Sequence, residues 1–384
     1  MSRQAMARHV LQGRELFIQK LQSQSITNSH DLALETAAFM RLIISKTYWR
    51  TAQQLLQEVV SHGKVLMAAA PHEIVIGNIV FRVMAIIREE YGRILHEKEV
   101  AEGNVSQHSL GVFSGSLSFH EQKNTVTEQH ALSLYNLLDG PNSSMEVMDR
   151  ELDVKPDIIE CVNELMDDIK ESSSEIADFG YSHIQESEII LLLGTSRTIL
   201  SLLQKAASSV KTLSVLLVLD IPGNPSKEQG EQFAEQMRKS NIAVTIVPLS
   251  SVGAVMPKIN RVLLSPVAIF ANGGLLTMTG TLLVVMAALQ SAVPVMACGG
   301  VYKLSQRYAM DQVTVNCAVP PQSIYEFPVR PNYDEAHLQV SCSRYDMVPP
   351  EMVALLVTNL GCHVPTYMYR LVAENYHPSD RASW

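Results

Sequence analysis

The pentapeptide Gly194-Thr195-Ser196-Arg197-Thr198 places a glycine, three hydroxyl side chains and a guanidinium together. At the junction of a strand and a helix, free backbone N–H groups of the helix start bind an anion. Arg197 would add a fork-shaped donor for phosphate or carboxylate. A structural alternative stands beside this one, in which Thr195 or Ser196 caps the helix and Arg197 pairs locally. Asn272-Gly273-Gly274 is a second candidate, a turn whose glycines allow close approach of backbone to backbone or ligand. Neither the GxxxxGK[ST] phosphate loop nor the GxGxxG dinucleotide turn is present. Asp220, ending the run SVLLVLD, is the one carboxylate placed for acid–base work, and the turn IPGNPS after it favours a capping role. The 12 histidines are scattered without HExxH or paired Cys/His spacing, so no metal and no cofactor are expected.

These residues must be positioned by elements, and the chain has two grammars. From the start to about Lys98, apolar residues recur by threes and fours. Leu34, Ala37, Ala38, Arg41, Leu42 and Tyr48, of which only Arg41 is polar, outline one helical face, and further helices cover 51–70 and the stretch around 79–91. Asn28 or Ser29 is the N-cap expected for the first of these. Residues of about 100–145 are rich in Gly, Ser, Asn, Gln and His, too polar to offset their ordering entropy, and are expected to be a mobile insert. Helical spacing resumes at Pro156. After Glu188, short apolar runs (EIILLLG, SVLLVLD, IAVTIVP, RVLLS, PVMACG) alternate with helical stretches. Strands buried on both faces and alternating with helices predict a doubly wound, Rossmann-like parallel α/β domain. The expected division is a helical domain over 1–185 and an α/β domain with an interface tail over 186–384.

Composition limits the function. The 384 residues are 47% hydrophobic and only 18% charged, a balance that fits either one large core or extensive contact with other chains. Thirty basic residues against 39 acidic ones give a net charge of -9, and the basic residues form no run, which argues against direct nucleic-acid binding. Five dispersed cysteines without CxxC point to reduced thiols and a cytosolic setting. The first residues lack the apolar core of a signal peptide, and no uninterrupted apolar run is long enough to span a membrane.

The segment from Tyr345 to Asp380 carries four tyrosines and is expected to hold a turn and two helical stretches, packed on the sheet or at an interface. Together, EIILLLGTSRT, ANGGLLTMTGT, SRYDMVPPEMVALLVTNLG and PTYMYRLVAENYHPSD resemble the alpha/beta/delta regulatory-subunit family of eukaryotic translation initiation factor 2B. The resemblance implies a non-catalytic regulatory subunit of the guanine-nucleotide exchange factor that reloads translation initiation factor 2 with GTP. It implies as partners the alpha, gamma, delta and epsilon subunits of that assembly and factor 2, especially its alpha subunit, whose phosphorylation the assembly senses. The wider family includes isomerases of ribose 1,5-bisphosphate and methylthioribose 1-phosphate, which use a Cys and an Asp. Here Gly194 and Val267 occupy the corresponding places, and neither can transfer a proton. An active isomerase and a metabolite-binding module remain the alternatives, the latter resting on Gly194, Thr195, Ser196 and Arg197.

Overall fold

The computed structural model describes residues 3–23, 25–26, 28–101, 154–210, 212–219, 227–308, 316–319, 339–378 and 380. Asp220 and nearly all of the 100–145 insert lie outside the described residues. The chain forms two units, Met1–Ile169 with Ala373–Trp384, and Lys170–Val372.

The first unit is built from helices α1 (Arg3–Gln22), α2 (Ser29–Lys46), α3 (Ala52–Ala69), α4 (Ile74–Ala101) and the opening turns of α5 (Lys155–Gly180). Thr51 caps α3 by accepting the Gln54 N–H at 3.4 Å. Asn28 occupies the N-cap of α2, but its side-chain amide donates to Asp31 at 3.2 Å rather than serving the helix backbone. The buried face of α2 differs from the expected one. Leu32, Ala33, Thr36, Phe39, Met40, Ile43 and Ile44 point inward with Ala37, whereas Leu34 and Leu42 are half-buried and Tyr48 is exposed. Both sets have helical spacing, and in a helix this apolar the period alone does not choose the face. Burial of Phe39 against Phe17, with ring centroids 5.9 Å apart, marks the side chosen.

The second unit holds β1 (Ile189–Leu193), α6 (Arg197–Ser209), β2 (Ser214–Val218), α7 (Lys227–Lys239), β3 (Ala243–Val247), β4 (Arg261–Leu264), β5 (Ala268–Phe270), β6 (Leu275–Met278), α8 (Thr281–Gln290), β7 (Val295–Cys298), β8 (Leu304–Ser305), β9 (Tyr345–Val348), β10 (Leu355–Thr358), β11 (Gly361–His363) and α9 (Met368–Asn375), whose last turn passes into the first unit. The main sheet is seven-stranded, in the order β11-β10-β7-β4-β1-β2-β3. Every pairing in it is parallel except that of β10 with β11. Four of the five residues of β1 are buried, as a central strand covered on both faces requires. Ile190, Leu192, Val215, Leu217, Leu263 and Met296 share a core with Leu202 and Leu203 of α6. The expected α/β class is therefore present, with one antiparallel edge.

Two features depart from the sequence reading. The Tyr345 to Asp380 segment, expected to hold a turn and two helical stretches, contains β10, which lies between β7 and β11. A second, four-stranded sheet, β8-β5-β6-β9, was not foreseen. Its strands are two to four residues long, too short to declare a period.

Candidate functional site

The chain runs outward from β1 through β2 to β3, then returns to the other side of β1 with β4 and continues through β7 to β10. The order of strands therefore reverses between β1 and β4, and the carboxyl ends of those two strands frame the crevice in which α/β sheets bind ligands. Gly194 follows β1 at φ 72, a left-handed conformation that glycine adopts without penalty, and its N–H donates to the Val218 carbonyl at 3.1 Å. Ser196 is the N-cap of α6 but, among the described residues, makes no side-chain cap bond. Its hydroxyl instead donates to Ser265 Oγ at 3.0 Å, so a Ser–Ser bridge spans the crevice from the β1 end to the β4 end. Thr195 is half-buried, and Arg197 is exposed at the first position of α6.

Val267 stands two residues beyond Ser265 and is half-buried, its N–H bonded to the Leu276 carbonyl at 2.7 Å. It belongs to the entrance of the β5–β6 hairpin. Asn272, Gly273 and Gly274 form the tip of that hairpin. The Gly273 N–H closes a turn on the Phe270 carbonyl at 2.9 Å, and the Phe270 N–H reaches the Gly274 carbonyl at 2.8 Å. The side-chain oxygen of exposed Asn272 accepts the Gly274 N–H at 3.1 Å. Gly273 sits at φ 82, and a methyl group added there would overlap the backbone carbonyl of Pro365. This arrangement, a turn closed by a left-handed glycine, is a hairpin bulge rather than a ligand loop. The two sequence candidates thus fall in different places. Gly194 to Arg197 border the crevice, whereas Asn272 to Gly274 shape the second sheet.

Sequence reasoning missed Lys303. It is 7% exposed, and its Nζ donates to the Pro266 carbonyl at 2.8 Å beside the end of β4. Burial pulls its ammonium down to about 8, with the Cys298 thiol acting in the opposite direction. The same burial pushes Cys298, at the end of β7, up to about 12, Cys362 adding to the rise and Lys303 opposing it. A thiol so placed is protonated at neutral pH and is a poor nucleophile. Nothing in the pattern VYKLS marks Lys303, whose partner lies 37 residues away. Among the described residues, no group of three or more His, Cys, Asp or Glu side chains is placed to hold a metal, and no helix is long and apolar enough to cross a membrane.

Comparison with known proteins agrees with this frame. The Initiation factor 2 subunit family is matched over residues 25–365. The chain is 31% identical over 385 residues to translation initiation factor eIF2B subunit beta of Schizosaccharomyces pombe, covering 94% of this chain and 95% of that protein. It is 31% identical over 377 residues to the Dictyostelium discoideum eIF2B subunit beta, covering 95% of each. A chain in the tetrameric eIF2B-beta2-delta2 complex from C. thermophilum has the same fold, with a TM-score of 0.65, 23% identity and coverage of 96% of this chain and 95% of that one. On its matched span and on its identity to full-length relatives, the chain belongs to the initiation factor 2 subunit family, alongside the beta subunits of eIF2B.

Proposed function

We propose that this chain is a regulatory, non-catalytic subunit of the eIF2B guanine-nucleotide exchange factor, working in the cytosol. The observation that carries the reading is its identity to eIF2B beta subunits over nearly the whole of both sequences. The crevice is consistent with it. Gly194 and Val267 contribute only backbone bonds, Ser196 gives its hydroxyl proton to Ser265, and Cys298 is held as a thiol. Exchange on a GTPase needs differential binding of two states rather than a covalent step, so it asks for no proton-transfer group at Gly194 or Val267.

The partner reading is more specific. Helix α8 contains no charged residue, and its face carrying Leu283, Met286 and Leu289 is 54–58% exposed while Val284, Val285 and Ala288 are buried. An uncharged, exposed apolar stripe of this kind is the signature of a protein contact. The occupant we assign is a delta-type chain, because a neighbour of the same fold is found in a complex of beta with delta subunits. In the complete assembly the alpha, gamma and epsilon subunits are further partners, and factor 2 with its phosphorylatable alpha subunit is the client. Affinity capture followed by native mass spectrometry tests both levels. The chain is expected to emerge with other exchange-factor subunits, and Met286→Asp is expected to release the delta-type partner selectively. A lone monomer, or turnover of a sugar phosphate by the purified chain, would overturn the assignment.

A further inference from the structure

The tyrosine-rich segment singled out in the sequence is not used by the crevice, and its end belongs to the helical unit. Beyond Val372 the chain leaves the α/β unit, and Ala373 onward is counted with Met1–Ile169. Asp380 is 0% exposed, and its carboxylate is gripped by Arg88 of α4. Nε donates to both carboxylate oxygens at 3.2 and 3.3 Å, and Nη2 reaches Oδ1 at 2.6 Å. Six residues earlier on α4, Arg82 donates to the Asn375 carbonyl at 3.1 Å. Tyr376 between them is buried, and the Asp380 N–H folds back to the His377 carbonyl at 3.2 Å.

A carboxylate withdrawn fully from water is tolerated only when a cation and hydrogen bonds replace its hydration. Arg88 does this in a forked geometry that a point charge such as lysine would not reproduce. The two arginines, spaced six residues apart on one helix, therefore hold the segment at two points, with the buried Tyr376 between those points in sequence. Burial and the Arg88 charge also lower the proton affinity of His377, against the opposing pull of Asp380, as expected for a tail packed beside a cation.

We propose that Asn375–Asp380 is an intramolecular clasp, a carboxylate-bearing peptide bound in cis by Arg82 and Arg88, and that the helical unit requires it to complete its own fold. This goes beyond the exchange-factor reading and does not depend on it. The test is a double-mutant cycle in the full chain. Arg88→Leu and Asp380→Leu singly are each expected to lower the melting temperature by on the order of 10 °C, since each leaves an uncompensated buried charge. The double variant should melt higher than the sum of the two losses predicts. Additive losses, or singles that melt like the unaltered chain, would overturn the clasp. Should a Leu variant fail to fold, Asp380→Asn with hydrogen exchange decides the matter. Amides of α4 around Arg82 to Tyr91 are expected to exchange at least tenfold faster while those of β1 and β2 keep their protection. Unchanged α4 exchange, or a uniform rise across both units, refutes the proposal.

Discussion

Gly273 shows how a single residue without a side chain sets local structure. Its backbone is left-handed and the Pro365 carbonyl occupies the space of a Cβ, so two independent costs attend any substitution. Gly273→Ala is expected to cost about 1–3 kcal/mol by chemical denaturation. Gly274→Ala should cost less, because the nearest atom to its added methyl would be in the Asn272 side chain, at 3.2 Å, and the Val348 carbonyl would lie in ordinary contact at 3.6 Å. His62 offers a pH-dependent counterpart. It is buried on α3, edge-on to Phe39 with centroids 6.0 Å apart, and burial followed by the Arg14 charge lowers its proton affinity against the pull of Glu58. The unfolded chain then binds a proton more readily than the folded one. The His62 contribution is present above the ordinary pKa of about 6.5 and is lost as pH falls below it, at a slope of no more than about 1.4 kcal/mol per pH unit. Urea denaturation between pH 7.5 and 5.5 should show this loss, and His62→Gln should flatten it. At this scale the sequence was informative where a residue type has a backbone meaning, as at Gly194, Asn272 and Gly273. It was silent about Lys303 and Ser265, whose roles depend on partners brought by the fold.

At the scale of elements, alternation of apolar runs with helical stretches marked β1, β2, β4 and β7, each buried along most of its length, and also β3, the last strand of the sheet, where Val247 alone is buried. The same criterion failed for β10. Met352, Val353, Leu355 and Leu356 suit a helical period as well as a continuous strand, and a run this short has no length to decide between them. What decides is the vacant side of β7, filled by Leu355, Leu356 and Val357 in parallel register, and Gly361 at φ 129 that turns the chain into β11. The start of α8 was similarly hidden. Its Gly280 and Leu282 N–H groups are satisfied by the Asp346 carboxylate at 2.8 and 3.1 Å, from a strand 66 and 64 residues away. A carboxylate at a helix N-terminus accepts free donors and complements the dipole. Asp346→Ala is therefore expected to cost about 1–2 kcal/mol by thermal or urea unfolding, and to loosen the apolar face of α8 offered to a partner. Retained stability would show that solvent serves those donors equally well.

For the whole molecule, the low charged fraction and the apolar α8 face point the same way, toward a chain that finishes its surface with other subunits. Composition suggested this only as one of two options, because a large core lowers the charged fraction equally well. The helical unit is discontinuous in sequence, and that has a consequence for its birth. In synthesis α1 to α4 emerge before the α/β unit, yet Asp380, the partner of Arg88, lies 292 residues beyond that arginine. At roughly 5–20 residues per second, the earliest helices wait on the order of ten seconds or more for the residue that neutralises Arg88. The helical unit is begun before the α/β unit and closed only after it, so a message cut short between the two would yield a protein whose helical unit, far from the lesion in sequence, is left unfinished.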